Sequence, residues 1–73
     1  MGNIGTGDDE VLVGRPAHVT VAIPGGARAG EVVVRVRGGS EAYIAYSETP
    51  IEAGEQVVVV DDRGARILVV ALL

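Results

Sequence analysis

The side chains that most often carry out chemistry in proteins are scarce in this chain. Its 73 residues include one histidine and no cysteine, tryptophan or phenylalanine. His18 stands between Ala17 and Val19, and a single imidazole without a second histidine, a cysteine or clustered carboxylates makes a poor metal site. We therefore interpret His18 as a surface residue and predict neither a metal site nor a cofactor.

The hydroxyl and carboxylate residues form no catalytic pattern. Ser40, Ser47 and Thr49 lie outside a G-x-S-x-G nucleophile elbow and beside no evident base. Asp61 and Asp62 fall in a predicted hairpin turn, where aspartate normally accepts hydrogen bonds from backbone amides. The residue pattern therefore predicts a domain that is not an enzyme.

The charge balance disfavours several classes of partner. Ten acidic residues against six basic ones give a formal net charge of −4, which opposes non-specific binding to nucleic acid or to an anionic membrane surface. Every basic residue is an arginine, so a biotinyl or lipoyl carrier domain is excluded, because no lysine can accept the cofactor. No segment approaches the roughly 20 apolar residues that cross a bilayer.

Blocks of valine separated by turns indicate an all-β domain. Fourteen residues are valine, which is β-branched and fits a pleated, half-buried surface better than a helix. Period-2 alternation with glycine- or proline-rich breaks predicts five strands, at about residues 17–23, 31–37, 41–46, 56–61 and 66–71. Turns are predicted at Gly38-Gly39-Ser40 and at residues 61–64. Ile51 is expected to enter the core from a loop rather than from a helical turn.

The alternation also predicts which side chains face the core. They are Ala17, Val19, Val21 and Ile23 in the first strand and Val32, Val34 and Val36 in the second. In the third strand, Ala42, Ile44 and Tyr46 alternate with Glu41, Tyr43 and Ala45, without a preferred inner face. The continuous apolar run at 57–60 predicts burial on both faces of the fourth strand or a place in the centre of the sheet, and the run at 67–70 predicts burial on both faces of the fifth.

Five short strands without an amphipathic helix imply a sheet that curls on itself, since a small open sheet would leave bare edges. We predict a small five-stranded OB-like Greek-key barrel, closed or partly open, over residues 11–73. Hairpins should join strands two and three and strands four and five, whereas the pairing that closes strand one is left open. Residues 1–10, with Asp8-Asp9-Glu10, are expected to be a flexible tail or linker rather than a cation site.

One group of residues suggests a surface for a partner. Arg35 and Arg37 on the second strand and Tyr43 on the third are predicted to form a partner-binding face. Arginine and tyrosine are enriched at interface anchors, and OB-like barrels commonly bind ligands on these strands. The alternative is that Arg35 and Arg37 pair across the strands with Glu41 and Glu31.

The segment from Gly14 to about Leu72 resembles the C-terminal soluble domain of NfeD-like proteins, also called stomatin operon partners. The resemblance is carried by Gly14 before the first strand, Gly30-Glu31-Val32, the strand end Tyr43 to Ser47, Ile51 to Gly54 before the valines at 57–60, and Gly64 before the last strand. It implies an OB-like barrel that follows transmembrane helices, and sometimes a Clp-like serine-protease domain, in a longer protein. The family domain has no catalytic motif, so no protease activity is carried over.

The resemblance also implies a function and a location. We expect a non-catalytic soluble interaction domain that assembles with stomatin- or flotillin-like membrane scaffold proteins, with self-association as a further route to assembly. The parent chain should be anchored in a membrane with this domain on the cytoplasmic side. The alternative function is an OB-fold module that binds single-stranded nucleic acid.

Overall fold

The computed structural model describes residues 11–73, and these residues form five strands and no helix. The strands are β1 (Pro16–Val21), β2 (Gly30–Val36), β3 (Gly39–Tyr46), β4 (Gln56–Gly64) and β5 (Ile67–Leu72). Within the described range there is accordingly no helix of the length and apolar character needed to cross a membrane. The predicted all-β class is confirmed.

The strands form a closed barrel in the order β1-β2-β3-β5-β4, with β4 pairing back onto β1. Both predicted hairpins are present, since β2 pairs with β3 and β4 pairs with β5 in antiparallel register. β3 and β5 run parallel, through Ile44 to Tyr46 opposite Ile67 to Val69. The closure that the sequence left open is made by β1, in which Pro16 to His18 lie opposite Gln56 to Val58 of β4. The barrel is therefore closed rather than partly open.

The core consists of aliphatic side chains that point into the barrel from all five strands and from the adjoining loops. Its buried members are Leu12, Ala17, Val19, Ile23, Val32, Val34, Ala45, Ile51, Val57, Val59, Leu68 and Val70, with Val36 and Tyr43 packed against them. The predicted inward positions in β2 are confirmed for Val32 and Val34, which are fully buried. The expectation that Ile51 enters the core from a loop is also confirmed. Ile51 is buried, and its backbone exchanges two hydrogen bonds with that of Ile23, of 2.8 and 2.9 Å.

The prediction that β4 and β5 are buried on both faces is wrong. Val57 and Val59 are buried whereas Val60 is 48% exposed. In β5, Leu68 and Val70 are buried while Ile67 and Val69 are only half-buried. A closed barrel this small has one dry interior, so only every second side chain can enter it. The continuous apolar runs therefore leave half of their side chains on the outer surface.

The prediction that Val21 faces inward is also wrong, because its side chain is 54% exposed. Val19 pairs with Val32 but Val21 pairs with Glu31, so Thr20 is an extra residue that shifts the register. Such a bulge reverses the facing of the next side chain. β1 consequently ends at Val21 rather than at residue 23.

Gly30 lies where two backbone segments approach each other closely. A Cβ atom built at this position would overlap the carbonyl oxygens of Val21 and Ala22 and lie 2.7 Å from the Ala22 carbonyl carbon. Only glycine lets β2 begin this close to the end of β1. By contrast, a Cβ atom at Gly39, the first residue of β3, would meet nothing within 4 Å.

Substitution of one buried and one exposed valine by aspartate tests the inner face of the barrel. We expect Val34→Asp to lower the free energy of unfolding by more than about 4 kcal/mol, because it places an unpaired charge in the core. Val21→Asp should leave the domain cooperatively folded in urea titrations followed by far-UV circular dichroism. If both variants lost the same amount of unfolding free energy, Val21 would have to be buried, which would contradict the bulge.

A pair of glycine substitutions tests the close backbone approach. Gly30→Ala should destabilise the domain by about 3 kcal/mol, because the clashing atoms belong to the backbone and cannot move aside easily. Gly39→Ala is the matched control and should change the midpoint of thermal unfolding only slightly. Similar midpoints for the two variants would mean that β1 and β2 do not approach as described.

Candidate functional site

The structure does not bring Arg35, Arg37 and Tyr43 together on one face. Arg35 is exposed on the outer side of β2, and Arg37 lies in the turn between β2 and β3. Tyr43 lies directly opposite the fully buried Val32 and packs against the core. Since directly opposed residues of antiparallel strands point to the same side, the Tyr43 ring belongs to the inner face of the sheet.

Tyr43 has a different cationic neighbour, Arg66, which the sequence pattern did not single out. The Arg66 guanidinium lies 4.8 Å from the centroid of the Tyr43 ring, within the range of a cation–π contact. Arg66 Nη1 also donates to Glu41 Oε1 at 2.7 Å, and Nη2 donates to the Ala42 carbonyl oxygen at 2.8 Å. The Arg66 side chain thus joins the start of β5 to β3.

The two carboxylates that were alternatives for Arg35 and Arg37 have other contacts. Glu41 binds Arg66, and Glu31 Oε1 accepts a hydrogen bond of 2.6 Å from Thr20 Oγ1. The Glu41–Arg66 pair is about half exposed on both sides, so solvent screening keeps its contribution to stability small. Its geometry nevertheless fixes the orientation of the guanidinium over the ring of Tyr43.

The position of Arg66 is set by a tight turn that lies farther along the chain than the sequence pattern predicts. The turn was expected at residues 61–64, yet β4 continues to Gly64, which pairs directly with Ile67. The two intervening residues, Ala65 and Arg66, have positive φ values of 55° and 62°, which is the pattern of a two-residue type I′ hairpin. Asp62 does accept a backbone hydrogen bond, of 2.9 Å from the Gly64 amide, but within the strand.

An apolar surface crosses the outer side of β3, β5 and β4. Register places Ile44 opposite Ile67 and Tyr46 opposite Val69 on the parallel pair, and Val58 opposite Ala71 on the antiparallel pair. We call this set the outer apolar stripe. Its members are Ile44, Tyr46, Val58, Val60, Ile67, Val69 and Ala71. Ile44 and Val60, at 47% and 48%, are among the most exposed large apolar side chains of the barrel strands.

A depression of about 350 Å³ runs along one side of the outer apolar stripe. Val60, Val69 and Ala71 line it together with Ser47, Glu48 and Thr49 of the segment after β3. The sequence carried a signal for this surface, because the continuous aliphatic runs of β4 and β5 exceed what one small barrel interior can bury. The prediction that both faces of those runs are buried missed this signal.

A second, more polar groove of about 360 Å³ lies across the outer faces of β4, β1, β2 and β3. We call it the β1–β2 groove. It is lined by Pro16, Ala17, His18, Val33, Arg35, Ser40 and Gln56. Register explains the set, since His18 lies opposite both Val33 and Gln56, and Arg35 lies opposite Ser40. The exposed position expected for His18 is confirmed.

The remaining candidate residues are dispersed. Asp61 lies 3.8 Å from the Arg63 guanidinium, with both side chains largely exposed, and Ser47 is buried with its hydroxyl donating to the Thr49 carbonyl oxygen. Across residues 11–73, no three histidine or carboxylate side chains come together as metal ligands would. The acidic run Asp8-Asp9-Glu10 lies outside the described residues.

Comparison with known proteins agrees with this architecture. A family model described as the NfeD C-terminal domain matches residues 16–71, from the first residue of β1 to the penultimate residue of β5. The chain belongs to the NfeD C-terminal domain family. The resemblance inferred from the sequence is therefore confirmed. No curated relative matches the chain.

Solved structures of NfeD domains have the same fold. The soluble domain of the NfeD protein YuaF from Bacillus subtilis superposes with a TM-score of 0.72 at 34% identity, covering 84% of this chain and 73% of that chain. The C-terminal domain of stomatin operon partner protein 1510-C from Pyrococcus horikoshii has a TM-score of 0.64 at 32% identity, with 85% and 88% coverage.

A third structural neighbour comes from Corynebacterium glutamicum. It is the soluble domain of a membrane protein implicated in regulation of membrane protease activity, with a TM-score of 0.65, 30% identity, and coverage of 84% of this chain and 90% of that chain. The three neighbours share the barrel, and each is a separately studied domain of comparable length.

Glycine substitutions test the turn that positions Arg66. Ala65→Gly should raise the free energy of unfolding by about 1 kcal/mol, because it relieves a left-handed conformation that alanine disfavours. Ala71→Gly, at an exposed position of β5, should lower the free energy of unfolding by about 0.5–1 kcal/mol. Urea unfolding of both variants provides the comparison, and a loss of stability in Ala65→Gly equal to that in Ala71→Gly would place residue 65 in a strand.

Proposed function

We propose that this NfeD C-terminal domain is a non-catalytic interaction module that docks onto a stomatin- or flotillin-like membrane scaffold protein through the outer apolar stripe. The observation that carries the proposal is the stripe itself. Seven apolar side chains from β3, β4 and β5 form it, and none of them is needed to fill the core. A contiguous exposed apolar patch on a soluble domain is typical of a protein interaction site.

The stripe has the features of an interface rather than of a ligand pocket. It includes the aromatic side chain of Tyr46, and it lies on three hydrogen-bonded strands that need no rearrangement. Apolar area removed from water stabilises a complex by about 25 cal/mol per Å² before association costs are subtracted. A partner that covers the stripe would gain this term without opening the barrel.

The kind of partner is suggested by the relatives. The domain from Pyrococcus horikoshii belongs to a stomatin operon partner protein, and the domain from Corynebacterium glutamicum belongs to a membrane protein. By analogy, this domain is the soluble part of a membrane-anchored parent chain, and the absence of cysteine fits a reducing, cytoplasmic location. The partner is then a scaffold protein on the same membrane surface.

The alternative function, binding of single-stranded nucleic acid, finds less support in the positions of the aromatic residues. Such modules use several aromatic platforms in a basic groove, whereas this chain has two tyrosines and a net charge of −4. The Tyr43 ring already contacts Arg66, and the outer side of β2 and β3 presents Val33, Arg35 and Ser40 instead. Binding of a single-stranded oligonucleotide is therefore included as an opposing arm of the test.

Charged substitutions in the stripe test the proposal. We expect Ile44→Asp and Val60→Asp to weaken binding of a purified stomatin- or flotillin-class protein by about tenfold or more, because each places a charge in an apolar contact. Isothermal titration calorimetry with the full chain gives the affinities, and circular dichroism verifies folding. Val21→Asp is the matched control, since Val21 is similarly exposed but lies outside the stripe, with Glu31 of β2 between it and Ile44.

Two results would contradict this function. One is an unchanged affinity of both stripe variants for the scaffold protein, or no affinity of the unmodified chain. The other is salt-dependent binding of a single-stranded oligonucleotide at low micromolar concentration, which would favour the nucleic-acid function.

A further inference from the structure

The β1–β2 groove differs from the rest of the surface in its chemistry. Its polar lining side chains, His18, Arg35, Ser40 and Gln56, all carry hydrogen-bond donors, and no carboxylate of residues 11–73 lines it. This is unexpected in a chain with ten acidic residues and six basic ones. The groove is thus a local concentration of donors on an acidic domain.

Arg35 is the cation at the centre of this groove. Arg63 and Arg66 each have a carboxylate partner, whereas no carboxylate within residues 11–73 contacts the Arg35 guanidinium. Its neighbours are Ser40 directly across on β3 and, on the other side, the apolar ring of Pro16. The planar guanidinium of Arg35, with the Ser40 hydroxyl and the apolar Pro16 ring in the same groove, is suited to bind a planar anion such as a carboxylate.

The groove is continuous with the outer apolar stripe. Val58 of the stripe lies directly opposite Pro16 in the pairing of β4 with β1, and Pro16 also lines the groove. A polypeptide that covers the stripe at Val58 and Ala71 therefore reaches the groove within one strand spacing. The two surfaces can be occupied by one partner segment.

We propose that the β1–β2 groove binds the side-chain carboxylate of an acidic residue in the partner polypeptide, with Arg35 as the ionic anchor and His18, Ser40 and Gln56 as additional donors. The inference rests on the proposed interaction function and defines its partner: an apolar segment that also carries an aspartate or glutamate. Covering the groove removes water from the ion pair, which is what gives such a contact its specificity.

A side-chain carboxylate fits the groove better than a chain terminus does. Sites that capture a terminal carboxylate typically use free backbone N–H groups arranged in a nest. In the groove, Ala17 and His18 of β1 pair with β2 on one side and with β4 on the other, and the polar lining side chains supply donors of their own. A partner chain would cross the groove rather than end in it.

The test uses peptides with blocked termini. One peptide contains four valine and leucine residues around a single glutamate, a second carries glutamine in its place, and a third has the glutamine together with a free C-terminal carboxylate. Binding to the full chain is followed by NMR titration up to millimolar peptide. We expect the glutamate peptide to shift the amide signals of His18, Val33 and Ser40 and to bind about tenfold more tightly than the other two.

Variants locate the carboxylate. Arg35→Gln should reduce the affinity for the glutamate peptide about tenfold, to that of the glutamine peptide. The control, Arg63→Gln, removes another exposed arginine charge outside the groove and should leave the affinity unchanged. Four results would each overturn the proposal. The glutamate and glutamine peptides could bind equally well, or Arg35→Gln could bind the glutamate peptide as tightly as the unmodified chain does. The peptide with the free C-terminus could bind best, or no peptide could shift any amide signal.

The same variants separate this site from the proposed function. If Ile44→Asp loses the scaffold protein while Arg35→Gln retains full affinity for both scaffold and peptide, the stripe is the interface and the carboxylate site is wrong. If the scaffold protein does not bind but the glutamate peptide occupies the groove through Arg35, the site stands and the scaffold assignment is wrong. Inorganic phosphate, titrated alone, serves as the comparison anion, and tighter binding of phosphate than of the peptide would also overturn the carboxylate assignment.

Discussion

Closure of the sheet by β1 is the constraint on which the rest of this domain depends. β1 pairs with β2 along one side and with β4 along the other, so no described strand is left with an open edge. The interior enclosed in this way is narrow, and aliphatic residues fill it without a tryptophan or phenylalanine. A chain of this length can bury only about 60% of its surface, so the few positions that point inward must be fully used.

Closure also limits how the domain can bind another protein. Strand addition, a common way for sheets to recruit peptides, requires an unpaired edge, whereas each of the five strands has a paired neighbour on both sides. Recognition has to use side chains on the outer face of the barrel. The outer apolar stripe and the β1–β2 groove lie there side by side, one apolar and one rich in donors, and they share the boundary between Val58 and Pro16.

A few backbone irregularities decide which side chains reach that outer face. The extra residue Thr20 turns Val21 outward, and Gly30 allows β2 to start against the carbonyl groups of Val21 and Ala22. The register also shifts in β4 between Val59 and Asp61, next to the exposed Val60 of the stripe. Each of the two register shifts changes which face the following side chains point to, because side chains along a strand alternate between the two faces.

The sequence by itself determined the all-β class, both hairpins, the inward valines of β2 and the family, because β-branched alternation and glycine-rich turns are local signals. It did not determine the closing partner of β1, the bulge at Thr20 or the placement of Arg66 over Tyr43, since those depend on contacts between residues distant in the chain. Arg35 was identified from its residue type, but its neighbours in the groove come from four strands. Only the closed tertiary structure decided which half of each apolar run faces outward, because a single dry interior can accept one face of each strand.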